Sequence, residues 1–228
     1  MHDSTSLRAF IDADPALAAI LGELAERCDR DPRGSDPGHD VAHALRVALW
    51  TLRLAEGVDP RCSVAAALLH DAVNLPKDSP ERSMASERSA ELARTLLPPL
   101  GFDAAEVDAI ATAIADHSYS RGATPRSTLG RALQDADRLE ALGALGLCRT
   151  LSCGARMGAR YFDPEDPWAS RRPLDDRRFT VDHFFTKLLD LPRTMNTTTA
   201  RREAERRAAF LWRFLEELAA EIGAPLER

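Results

Sequence analysis

No uncharged apolar run approaches the ~20 residues that a membrane-spanning helix requires. The amino terminus, with Asp3, Arg8, Asp12 and Asp14, also lacks an apolar signal core. Neither secretion nor membrane insertion is expected. Cysteine is scarce: Cys28, Cys62, Cys148 and Cys153 are scattered, without a CxxC pair or a disulfide framework. They fit small, reduced core residues of a cytoplasmic protein. A basic excess is missing too. Lys plus Arg number 30 against 36 Asp plus Glu, a formal net charge of −6, so binding to a nucleic-acid polymer is not expected. A small anion needs only a locally positive pocket and stays open as a substrate. There is no convincing strand alternation, no repeat and no low-complexity tract.

What the sequence does hold is helical periodicity. Its 228 residues, 44% hydrophobic and 29% charged, suit one well-buried core. The spacing predicts helices over Pro15–Cys28, His39–Glu56, Arg61–Val73, Ser83–Leu97, Ala104–His117 and Ser127–Leu147, with Asp103 and Ser127 as N-caps. An irregular, Gly- and Pro-containing stretch over Ser152–Asp176 follows; its length suggests a lid or a subunit contact. A short helix near Asp182–Leu189 and a long one over Ala200–Ile222 complete an all-α fold. In the last helix Ala204, Ala208, Leu211, Leu215, Leu218 and Ile222 form one apolar stripe that must be packed.

Several polar residues stand where apolar ones belong. His43 shares its helical face with Val47, Trp50 and Leu54, and Asp137 shares one with Leu133, Gln134, Ala141 and Ala144. His70-Asp71 ends the run Val64-Ala65-Ala66-Ala67-Leu68-Leu69, apolar on every side, and His117 closes a helix whose Ile110, Ala113 and Ile114 face the core. Any one of these alone reads as a hydrogen-bonded core histidine or a helix-ending aspartate. Buried separately they would be costly, since an unpaired buried carboxylate loses several kcal/mol or shifts its pKa. One cation bound by two imidazoles and two carboxylates removes the penalty for all four. His70 and Asp71 project about 100° apart on an ideal helix, so joint ligation requires local unwinding there.

The order His43…His70-Asp71…Asp137 resembles the H…HD…D signature of the HD-domain metal-dependent phosphohydrolases. The strings His39-Asp40-Val41-Ala42-His43-Ala44-Leu45-Arg46-Val47, Leu68-Leu69-His70-Asp71, Ala115-Asp116-His117-Ser118 and Gln134-Asp135-Ala136-Asp137-Arg138-Leu139-Glu140-Ala141-Leu142-Gly143 are similar to that family. So are Phe162-Asp163-Pro164-Glu165-Asp166-Pro167, Arg172-Pro173-Leu174-Asp175-Asp176-Arg177 and Asp182-His183-Phe184-Phe185-Thr186-Lys187-Leu188, which narrow the resemblance to small stand-alone bacterial members. That subgroup includes nucleoside triphosphate pyrophosphohydrolases. The resemblance covers roughly residues 35 to 220. It implies a single-domain helical bundle around a central metal, divided into an N-terminal helix and loop (1–34), an HD core (35–150) and a C-terminal helical extension (151–228) on the same domain.

The resemblance makes His43, His70, Asp71 and Asp137 the metal ligands. Two nitrogens and two carboxylate oxygens suit one divalent transition ion, Mn²⁺ first, with Fe²⁺, Co²⁺ or Ni²⁺ as alternatives and Mg²⁺ behind them. Only His117 lies between the HD pair and the last aspartate, which favours one metal over two and makes a di-iron oxygenase remote. The Gly-Tyr-Pro extension of cyclic-dinucleotide enzymes is missing. Asp71 and His117 are the expected catalytic residues, His117 as phosphate contact or proton donor. Lys77, Arg46, Lys187 and Arg138 are candidate phosphate partners, and Asp40 and Glu140 are expected behind the ligands. The expected reaction converts nucleoside or deoxynucleoside triphosphates to monophosphate and pyrophosphate. A nucleoside 5′-monophosphatase or other phosphomonoesterase and a non-catalytic metal or nucleotide sensor are the alternatives. A small-molecule nucleotide is the expected partner, and a homodimer is open.

Overall fold

The computed structural model describes residues 3–30, 40–73, 81–118 and 122–226. Every regular element among them is helical, and the residues group into two compact units, Met1–Asp137 and Arg138–Arg228.

In the first unit, helices begin where a side chain can take orphan N–H groups. Asp3 accepts the Ser6 N–H ahead of α1 (Ser4–Ala13), and Asp14 accepts those of Ala16 and Leu17 ahead of α2 (Pro15–Asp29). Helix α3 (Val41–Leu54) starts from Asp40 and α4 (Pro60–Leu69) from Asp59. α5 (Ala85–Leu96) continues a short 3-10 turn. α6 (Ala104–Asp116) opens with a reciprocal capping box between Asp103 and Glu106. Ser127 Oγ accepts the Gly130 N–H at the start of α7 (Thr128–Glu140). The centre of this unit is α4. Cys62 to Leu69 are all buried, and α4 packs against α2, α3, α5 and α6. A helix apolar all round can exist only in such a place.

The second unit holds α8 (Gly143–Arg156), α9 (Asp182–Thr186), 3-10 turns over Leu188–Thr194 and α10 (Thr198–Ile222). Of the expected stripe, Ala204, Ala208, Leu211 and Leu215 are buried and are joined by Ala200 and Ala219, whereas Leu218 and Ile222 are only half-buried; α10 lies on α8 and on the 3-10 turns. The stretch from 157 to 181 is irregular but tied down. Arg160 and Phe179 form a parallel bridge, and Arg172 donates two hydrogen bonds to the fully buried Asp182. Asp176 accepts from His183 Nδ1 at 2.8 Å and from Thr186 Oγ1 at 3.2 Å.

Three expectations need correction. Helix α1 lies in a segment for which the periodicity gave no helix. The predicted helix Ser127–Leu147 is two helices: α7 stops at Glu140, Leu142 is extended, and Gly143 restarts the chain at φ +72. The predicted helix through Val73 stops at Leu69. This last break sets up the site.

Candidate metal centre

Asp40 Oδ1 accepts the His43 backbone N–H at 2.7 Å, fixing His43 in the first turn of α3. Its imidazole is buried, with 1% exposed. At the far end of α4 the helical hydrogen bonds give out: His70 is the C-cap, and the Ala72 N–H turns back to the Leu69 carbonyl. The Val73 N–H is then taken by the buried Ser89 hydroxyl of α5 at 3.1 Å. The regular helix therefore ends at the adjacent pair His70 and Asp71. Asp137 comes from the last turn of α7, and His117 from the end of α6.

The side chains converge. His43 Nε2 lies 3.3 Å from His70 Nε2 and 3.6 Å from Asp137 Oδ1. His70 Nε2 lies 3.6 Å from Asp71 Oδ2 and 3.9 Å from Asp137 Oδ1. Ligand atoms held about 2.1 Å from one transition ion stand about 3 Å apart at right angles and about 4.2 Å apart across it. All four separations fall in that range. One atom each from His43, His70 and Asp71 lies within 4.8 Å of the others.

The proton inventory agrees with a cation. His70 Nδ1 sits 2.7 Å from the Ala67 carbonyl, an acceptor only, so Nδ1 carries the hydrogen and Nε2 presents a bare lone pair. Burial, reinforced by the charges of His117 and His43, outweighs the neighbouring carboxylates and pushes the His70 pKa down to about 4. Asp137 loses solvation through burial, yet His70, His43 and His117 hold its carboxyl below the usual value. The result is a neutral nitrogen ligand facing ionised oxygens, the donor set a divalent ion requires.

His117 stands beside this group. Its Nδ1 hydrogen goes to the Ile114 carbonyl at 2.6 Å, and Nε2 faces Asp71 Oδ1 at 3.5 Å. Burial works against its protonation, but the Asp71 carboxylate, together with Asp137 and the Ile114 carbonyl, more than offsets it and raises the pKa above that of a free imidazole. Asp71 therefore offers Oδ2 toward His70 and Oδ1 toward His117.

The remaining expected residues are placed as follows. Arg46, one turn after His43, is half-buried on α3. Lys77 lies outside the described residues. In the second unit, Lys187 is the C-cap of α9, Glu140 is buried with 1% exposed, and Arg138 Nη1 donates to the Thr194 carbonyl. Asp40 acts on His43 through its backbone. Two polar residues near the centre were given no role from the sequence: Ser89, which takes the Val73 N–H, and Gln134, a hydrogen-bonded neighbour of the chain before His117.

A family model described as HD domain matches residues 41–142. The Bacillus subtilis protein YpgQ is 33% identical over 192 residues, spanning 81% of this chain and 85% of YpgQ. The crystal structure of YpgQ in complex with ADP superposes with a TM-score of 0.68 at 27% identity, covering 90% of this chain and 97% of YpgQ. An HD-superfamily hydrolase from Bacillus thuringiensis gives 0.67 at 29% identity over 91% of this chain and 97% of its own. A predicted HD superfamily hydrolase from an uncultured Thermotogales bacterium gives 0.64 at 30% identity over 94% and 98%.

Proposed function

The chain belongs to the HD-domain family of metal-dependent phosphohydrolases, and from that premise we propose that it hydrolyses nucleoside or deoxynucleoside triphosphates to monophosphate and pyrophosphate with one Mn²⁺. The observation that supports this reading is the approach of His43, His70 and Asp71 to one another, with Asp137 beside both histidines and His117 set against the second oxygen of Asp71. The ADP complex of the relative YpgQ supports a nucleotide as the ligand class.

His43, His70, Asp71 and Asp137 would hold the ion. When bound it supplies a Lewis acid for a phosphoryl oxygen and lowers the pKa of water. The rest falls to the protein. Water oxygen bonds to the α-phosphorus, and the bond from that phosphorus to the bridging oxygen breaks. Pyrophosphate leaves with the electron pair. The water proton passes to Asp71 Oδ1, and His117 Nε2 gives a proton to the departing oxygen. The 3.5 Å approach of these two groups lets the proton return to His117 for the next cycle. Arg46, on the His43 helix, and Lys77, a few residues after Asp71, are the cations assigned to phosphate.

Incubation with Mn²⁺ and a panel of nucleoside mono-, di- and triphosphates tests the reading. Monophosphate and pyrophosphate in equal amounts are expected from at least one triphosphate. Release of inorganic phosphate from monophosphates alone would replace the assignment with a monophosphatase. Metal and nucleotide binding without any product would replace it with a sensor.

A further inference from the structure

Gln134 lies on α7 one turn before Asp137, and its side chain is buried, with 1% exposed. Its amide nitrogen is 3.2 Å from the Asp116 carbonyl oxygen and 3.1 Å from the Ala123 carbonyl oxygen. Two carbonyls can be faced only by an NH₂ group, so the chemistry settles which way the amide points. Both acceptors flank His117: Asp116 immediately precedes it, and Ala123 follows six residues later. The Asp116 carbonyl is at the C-terminal end of α6, where a helix has no N–H of its own to offer. A donor from another helix fills that need here. The same stretch is drawn in from outside by Arg126, which is largely exposed and donates Nε and Nη2 to the Asp116 carboxylate.

We propose that Gln134 is a positioning residue for His117. By fastening the end of α6 to α7, it sets where the His117 imidazole stands relative to Asp71, on the same helix that delivers Asp137. The functional part of this inference rests on the role given to His117 above. A glutamine that merely satisfied two carbonyls could be replaced without moving that imidazole.

Gln134→Met keeps the length of the side chain and removes both donors. The first readout uses metal-free, full-length protein labelled with ¹⁵N-histidine. The Nδ1 proton of His117, held to Ile114, is assigned by its loss in His117→Ala. In Gln134→Met this resonance is expected to shift, or to exchange at least about tenfold faster. The His70 Nδ1 proton, held to Ala67, should keep its position and rate. An unchanged His117 resonance would overturn the proposal, and so would an equal disturbance of both histidines.

The second readout is kinetic, on whichever phosphoester the protein turns over. Gln134→Met should lower kcat by about tenfold to a hundredfold, as misplacement of a reacting group does, with KM within about threefold of the parent. Combined with His117→Ala, it should add nothing to the loss caused by His117→Ala alone. Independent, additive losses would overturn it. Undiminished turnover in His117→Ala would remove the catalytic role of His117, leaving the resonance to decide whether Gln134 positions it.

Discussion

A histidine that ligates metal must be neutral, and His70 is held neutral by its surroundings. Its folded pKa of about 4 lies below the ordinary 6.5, so the proton favours the unfolded chain. The stability contributed is therefore complete above pH 6.5 and drains as the pH falls from there to about 4, at a rate on the order of 1 kcal/mol per pH unit. His117, shifted upward, has the opposite sign: its contribution is complete below 6.5 and is lost as the pH rises through its folded value. The windows lie on either side of pH 6.5 and can be separated. Proton NMR of the metal-free protein should show the His70 ring titrating near 4 and that of His117 above 6.5, while urea unfolding weakens from pH 6.5 downward. A His70 ring that titrates at 6.5 would contradict this. The four expected ligands stood out in the sequence because each is a polar residue among apolar neighbours. The His117–Asp71 approach and the partners of Gln134 did not. One depends on where a helix end arrives, and the others are backbone carbonyls, which leave no mark on side-chain pattern.

Among elements, the informative case is the break between α7 and α8. The apolar positions Leu133, Ala136, Leu139 and Leu142 sustain a helical period across it, so pattern alone extends one helix to Leu147. Gly143 interrupts it with φ +72, and a Cβ there would stand 3.3 Å from Arg207 Cγ. Arg207 in turn donates Nε to Glu203 and Nη1 to the Leu139 carbonyl at the end of α7, so it has little freedom to withdraw. Gly143→Ala should cost about 1–2 kcal/mol through left-handed strain and crowding, measured by urea unfolding against the parent. No change would mean that the turn relaxes without loss. The end of α4 was misplaced in the same way: periodicity carried the helix to Val73, and the chain leaves it at Leu69.

For the molecule as a whole, helical periodicity and the lack of strand alternation were sufficient to give the all-helical fold. No helix among the described residues is long and apolar enough to cross a membrane. Division into two compact units was not legible, because apolar stripes report that a helix is packed and not which helices share its core. All four expected ligands belong to Met1–Asp137, so the account stands or falls on that unit. Calorimetric titration of Mn²⁺ into chelator-treated full-length protein tests it most directly. One ion bound per chain is expected, with binding abolished in both Asp71→Ala and His70→Ala and retained in Lys77→Ala. No saturable binding, or undiminished binding in Asp71→Ala, would contradict it.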